Sequence, residues 1–114
     1  MEALTITGHG KHQVLLPWQR VQVNGPSMVP TLRHGDVVIA WHGRRIRPGD
    51  VVLARFVSMP NRLVVKRVVH REGDGWWLAS DNPFAGGDSE SHGVAEVLAR
   101  VVVRVAPGRP RRVR

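Results

Sequence analysis

Short apolar runs alternate with turn-forming clusters along this chain, and no stretch repeats at the period of a helix face. The runs fall at 21–23, 36–41, 51–56, 63–70, 76–79 and 97–105, most of them rich in Val. They are bounded by Gly, Pro, Asp and Asn, as in Arg47-Pro48-Gly49-Asp50, Met59-Pro60-Asn61, Gly73-Asp74-Gly75 and Asp81-Asn82-Pro83. Branched side chains in short runs between such turns predict strands. Residues 1–20, with Gly8, Gly10, Pro17 and mixed polarity, read as a loosely structured lead-in. The pattern allows at most one helical turn after Ser27, with Pro30 near its start. The expectation is a mainly β domain over 21–106, with loops carrying the unusual residues and a basic, flexible tail at 107–114.

One residue breaks the apolar pattern from inside. Lys66 lies in Leu63-Val64-Val65-Lys66-Arg67-Val68-Val69. Strand side chains alternate between faces, so Val64, Lys66 and Val68 share one face. A lysine among valines is either a side chain snorkelling to solvent from an edge strand or a desolvated amine. Only the neutral amine acts as a general base. That requires lowering its pKa from about 10.4 to roughly 7–8, the direction in which desolvation acts.

A second residue stands out in a turn. Gly25-Pro26-Ser27-Met28-Val29-Pro30-Thr31-Leu32 precedes Gly35-Asp36 and the first strongly apolar run. Ser27 is either a solvated hydroxyl or a nucleophile, and serine is a poor nucleophile until a base takes its proton. The histidines are His9, His12, His34, His42, His70 and His92. Each reads as a surface residue rather than as that base, and His34, His42 and His70 have no metal-ligand spacing. A third stretch, from Ser80-Asp81-Asn82 through Gly86-Gly87-Asp88-Ser89 to Gly93, is a long polar loop of the kind on which sites are built.

Composition narrows the classes. The 114 residues suit one small domain, and the 42% of hydrophobic residues is enough for one core. There is no cysteine, hence no disulfide, thiolate zinc site or cysteine nucleophile, which fits a reducing compartment. The apolar stretch Val14-Leu15-Leu16-Pro17-Trp18 is far shorter than the roughly 20 residues of a membrane-spanning helix. It is also too short for the apolar part of a secretory signal. These features lead us to expect a cytoplasmic protein. The formal charge of +8 leaves nucleic acid, an acidic partner or an anionic membrane surface open. Four of the arginines, Arg109, Arg111, Arg112 and Arg114, sit in the tail, and basic stripes interleaved with aromatics are missing. No nucleic-acid partner is expected.

Together the three stretches resemble the signal peptidase I superfamily of Ser-Lys serine proteases, over about 21–93. Gly25-Pro26-Ser27-Met28-Val29-Pro30-Thr31-Leu32 resembles its nucleophile box, and Pro48-Gly49-Asp50-Val51-Val52 a following strand. Lys66-Arg67-Val68-Val69 resembles the lysine box, and Asp81-Asn82 with Asp88-Ser89 the last box. The resemblance implies a small coiled antiparallel β domain of the signal peptidase/LexA-type catalytic fold. It implies Ser27 as nucleophile and Lys66 as general base, no cofactor and no metal. Gly25, Pro26, Met28, Pro30, Asp81, Asn82, Asp88 and Ser89 are then oxyanion or site-lining residues. Met28 would form the site floor, and the backbone N–H of Ser27 would be the oxyanion donor.

Three positions depart from the family pattern. Gly86 stands where many members carry a serine that orients the lysine. Glu90 stands where the last box has an arginine. Gly25 stands where some members have a hydroxyl oxyanion donor. A short, arginine-rich chain most resembles the nickel-type superoxide dismutase maturation proteases, which implies a precursor with an N-terminal leader as partner. The alternatives are a signal peptidase acting on exported preproteins, a self-cleaving LexA-type repressor, and a non-catalytic basic binding module on the same fold. The first 20 residues are too few for a repressor's DNA-binding domain.

Overall fold

A computed structural model describes residues 17–114 and the backbone of Ala3–Ile6. It is built from eight strands and one short helix: β1 (Ala3–Ile6), β2 (Trp18–Val23), β3 (Val37–Trp41), β4 (Val51–Phe56), β5 (Val64–Glu72), β6 (Gly75–Ala79), α1 (Ser89–His92), β7 (Ala95–Ala106) and β8 (Arg111–Arg112). All pairings are antiparallel. The strand order is β1-β2-β3-β7-β4-β5-β6, with β8 also on β7. A further pairing of Trp76 with Ala95 joins β6 back to β7, so β7-β4-β5-β6 closes on itself.

The mainly β, coiled antiparallel domain expected from the sequence is what forms. Its coil centres on β7, which pairs with β4 through Ala95 to Arg100 and with β3 through Arg100 to Ala106. Register shifts interrupt both ladders, and such bulges bend a strand and increase its twist. One long strand thereby serves two halves of the domain.

Two core clusters follow from this geometry. One gathers Val21, Val23, Met28, Leu32, Val38, Ala40, Val51, Leu53, Val65, Ala99 and Val101. The other gathers Val52, Ala54, Phe56, Val64, Val68, Leu78 and Ala95. β2 and β3 bury alternate residues, the pattern of a sheet with one wet face. β4 sends Val51 and Leu53 into the first cluster and Val52, Ala54 and Phe56 into the second. A strand covered on both faces reads as a continuous apolar run, which is why 51–54 shows no alternation. β5 is shared in the same way, by Val65 on one side and Val64 and Val68 on the other.

Several expectations need correction. The lead-in contains a strand, Ala3–Ile6, and β2 begins at Trp18, so pairing with β3 orders that part of 1–20. Its residues 7–16 lie outside those described, as do His9 and His12. The segment after Ser27 stays within the single helical turn allowed for it and forms no regular helix, with Val29 N–H donating to the Pro26 carbonyl and Leu32 N–H to the Met28 carbonyl. Pro30 disfavours the helical conformation at Val29. The long polar loop contains a helix, α1. The tail is held: Arg111–Arg112 pair with β7, Val113 packs on the first cluster, and the Arg111 guanidinium donates to the Thr31 carbonyl at 3.2 Å. The apolar Val113 supplies an anchor that the tail's net charge obscured.

Candidate active site

Lys66 is fully buried, at 0% exposure. It shares strand parity with Val64 and Val68 of the second cluster, and β5 lies between β4 and β6 rather than at an edge. Of the two sequence readings, the desolvated amine is the one the fold contains. Lys66 Nζ donates to Ser80 Oγ at 2.9 Å and lies 3.5 Å from the Gly86 carbonyl oxygen. Ser80 Oγ in turn donates to the same Gly86 carbonyl at 3.2 Å. Ser80 follows the end of β6, and Gly86 and Gly87 both have positive φ, of 66° and 71°. That conformation, open to glycine at little cost, bends the loop back over the amine. A Cβ at Gly87 would stand 3.9 Å from Nζ.

Ser27 is 3% exposed, on the turn between β2 and β3. The turn is held from two sides. Below it, Met28 and Leu32 are fully buried in the first cluster. Met28 is therefore an anchor of the turn in the core, not an open floor for a ligand. Above it, Asn82 N–H donates to the Ser27 carbonyl at 2.9 Å, and Asn82 Nδ2 donates to the Pro26 carbonyl at 3.1 Å. The loop 80–88 thus touches the serine turn through Asn82 and the lysine through Ser80 and Gly86.

A charged network braces the same three segments. Arg67, the neighbour of Lys66 on the opposite strand face, makes a bidentate contact with Asp81 at 2.7 Å from Nε and from Nη2. Thr31 Oγ1, from the serine turn, donates to Asp81 Oδ2 at 2.5 Å. Arg67 also donates to the carbonyls of Gly49 and Arg114. Burial pushes the Asp81 carboxyl up, but the hydrogen bonds from Arg67 and Thr31 and the charge of Arg67 outweigh it and hold the group below the ordinary 3.8. Arg67 is raised, chiefly by its hydrogen bond to Asp81, against desolvation and with help from the charges of Asp81 and Asp50.

The remaining expected site residues divide. Gly25 has a φ of 83°, and its N–H donates to His34 Nδ1 at 3.0 Å, so that donor is engaged outside any oxyanion role. Pro26 and Pro30 are exposed on the turn. Asp88 caps α1 with its backbone carbonyl, accepting from Ser91 and His92, and its side chain makes no cap bond. Ser89 is buried and its Oγ accepts from Leu78 N–H at 2.8 Å, which ties α1 to β6. Asp88 and Ser89 therefore build the support for the loop, while Asp81 and Asn82 reach the serine turn. Sequence reading missed Ser80. Its signal was weak: a hydroxyl directly before Asp81-Asn82, at the end of a predicted strand.

With that geometry established, comparison with known proteins decides the class. A family model described as Peptidase S24-like matches residues 18–102, most of the chain. The chain belongs to the S24-like peptidase family. The chain is similar to the mitochondrial ATP-independent inner membrane protease subunit 1a of Arabidopsis thaliana, 45% identical over 74 residues, which are 60% of this chain and 44% of the relative. It is similar to the human mitochondrial inner membrane protease subunit 1, 38% identical over 68 residues, covering 56% and 41%. It also matches subunit 1 of Schizosaccharomyces pombe, 31% identical over 126 residues, covering 87% and 79%. The chain thus spans under half the length of the first two relatives and about four-fifths of the third. That family falls in the S24/S26 class of serine peptidases, the type that works with a Ser-Lys dyad. Among the described residues no helix is long and apolar enough to cross a membrane, and no cluster of His, Asp and Glu has the arrangement of a metal site.

Proposed function

We propose that this chain is an endopeptidase in which Ser27 is the nucleophile and Lys66 its general base, removing an N-terminal leader from a precursor protein. The observation that carries the assignment is the burial of Lys66 with its amine on Ser80 Oγ and the Gly86 carbonyl. A neutral amine has two N–H bonds and one lone pair. Donation to Ser80 and Gly86 uses both hydrogens and leaves the lone pair to accept the Ser27 proton. Desolvation disfavours the ammonium form, the direction a general base needs.

In the reaction, Ser27 Oγ attacks the scissile carbonyl as its proton passes to Lys66 Nζ. In this proposal the backbone N–H of Ser27 is the donor to the developing oxyanion. Collapse breaks the C–N bond, the Lys66 proton goes to the leaving amine, and the acyl group stays on Ser27. Water, deprotonated by Lys66, then releases the acid and restores both groups.

For the substrate we propose the precursor of nickel-type superoxide dismutase, cut immediately before its metal-binding N-terminus, in the cytoplasm. The support is the resemblance of the compact, arginine-rich chain to that maturation class. Coexpression tests it. The wild-type chain, but not Ser27→Ala, should shorten the precursor and yield a protein able to take up nickel. A precursor left intact while a secretory-leader peptide is cut would remove this substrate. The names of the mitochondrial inner membrane proteases favour a second reading, processing of preproteins at a membrane. Fractionation separates the two: retention of the chain in membranes through a high-salt wash supports the second.

A further inference from the structure

Phe84 is 95% exposed, the most exposed of the large hydrophobic residues among those described. Phenylalanine is among the residue types most often buried. Single exposed apolar residues are common and need no explanation by themselves, so the setting of this one matters. Phe84 N–H donates to Asn82 Oδ1 at 3.0 Å, and Ala85 N–H to the Asn82 carbonyl at 3.2 Å. Such an Asx turn fixes the backbone on both sides of the phenyl group.

The two ends of that turn are fixed to the two halves of the dyad. Asn82 holds the backbone carbonyls of Pro26 and Ser27, and the Gly86 carbonyl lies on Lys66 and Ser80. Phe84 is two residues from each, so its Cα is within about 7 Å of both. A loop tied at both ends to the dyad segments therefore carries an uncovered aromatic ring.

We infer that Phe84 is a specificity-determining residue that binds an apolar side chain of the extended leader peptide, within about four residues of the scissile bond at the rise of an extended chain. The inference rests on the proposed peptidase reading. A peptide fits this setting better than a lipid surface. The flanking loop residues Ser80, Asp81, Asn82 and Asp88 are polar, whereas interfacial binding needs a broad apolar face. One ring on a polar loop suits one side chain of an extended ligand, with main-chain hydrogen bonds supplying the remaining affinity.

The test uses a labelled peptide of about 14 residues carrying an Ala-x-Ala leader junction with leucines on either side. Its binding to the full-length Ser27→Ala chain is followed by fluorescence anisotropy, and its cleavage by the Ser27-containing chain is measured in parallel. Phe84→Ala should weaken binding to Ser27→Ala about tenfold and raise KM by a similar factor with kcat nearly unchanged. Phe84→Leu should recover most of the loss. Replacing one particular leucine of the peptide by alanine should abolish the difference that Phe84→Ala makes. Equal binding with and without the Phe84→Ala change, for every peptide, overturns the inference. So does a Phe84→Ala effect confined to vesicles of phosphatidylglycerol and phosphatidylcholine, which assigns the ring to a membrane. Binding that depends on Phe84 while the wild-type chain cuts nothing upholds this contact and counts against the peptidase reading instead.

Discussion

Two neighbouring parts of the site are positioned by different physics. Lys66 and Arg67 are consecutive residues of β5, and the strand's own alternation separates them. One side chain is fully buried beside the second cluster, and the other reaches Asp81 from a partly exposed face. Their placement follows from ladder hydrogen bonds on both sides and from the valines around them. Residues 80–88 have no such ladder. They are placed by individual bonds: Asn82 to Ser27 and Pro26, Asp81 to Arg67 and Thr31, Ser80 and Gly86 to Lys66, and Ser89 to Leu78. The strand supplies the base, and the loop sets its geometry. Chemistry should therefore be lost when strand residues change, and tuned when loop residues change.

The sharpest way to break that contrast is at the dyad. Ser27→Ala and Lys66→Ala should each lower the cleavage rate by more than about a thousandfold, and the double variant should be no worse, because the two act as one unit. Circular dichroism should remain native. Lys66→Arg should also be inactive, since a guanidinium stays protonated. An active arginine variant would show that the residue serves only as a positive charge.

Ser80→Ala should fall between strand and loop behaviour. Removing the hydroxyl takes one of the groups that hold the amine, and kcat should drop about a hundredfold, about 2.7 kcal/mol of barrier. Ser80→Thr keeps the hydroxyl and should restore much of the rate. A structural role alone would lower the melting temperature and leave kcat of the folded enzyme untouched.

Asp81→Asn probes the brace rather than the chemistry. Hydrogen bonds to charged groups contribute about 1.5–3 kcal/mol each, so a loss of roughly 2 kcal/mol in unfolding free energy is expected. The effect has a defined pH range. The Asp81 carboxyl lies below its ordinary 3.8 in the folded chain. It thus contributes stability that is complete above the unfolded value and is lost as pH falls through the folded one. Wild type and Asp81→Asn should differ most above about pH 5 and converge as pH falls from about 3.8 through the folded value that lies below it. A gap that stays constant down to about pH 2 would show that the carboxylate charge is not what stabilises the brace.

The smallest effect belongs to His34. Its ring accepts the Gly25 N–H on an exposed part of the turn, where water can replace it. His34→Ala should cost less than about 1 kcal/mol, the net worth of an ordinary hydrogen bond, and less than about fivefold in rate. A dead His34 variant alongside an active Lys66→Ala would assign the base to the wrong residue.

The strands from Val21 onward and the shared face of Val64, Lys66 and Val68 were legible in the sequence, whereas the two-sided burial of β4 and β5, and with it the choice between a snorkelling and a desolvated Lys66, was not. The legible features depend on alternation and on apolar character within a few residues. The Ser27 turn was legible through its glycine and prolines, but that Met28 and Leu32 seat it in the core was not. Nor were the strand in the lead-in, the docking of the tail and the role of Ser80. Trp18 pairs with Trp41, Arg112 with Val103, and Ser80 meets a lysine fourteen residues earlier in the chain. Local preference says nothing about partners so far apart. Sequence periodicity determined which side chains share a strand face. Only closure of the sheet around β7 decided which loop hydroxyl the buried amine would find, because a hydrogen bond between distant segments exists only once the chain has brought them within about 3 Å.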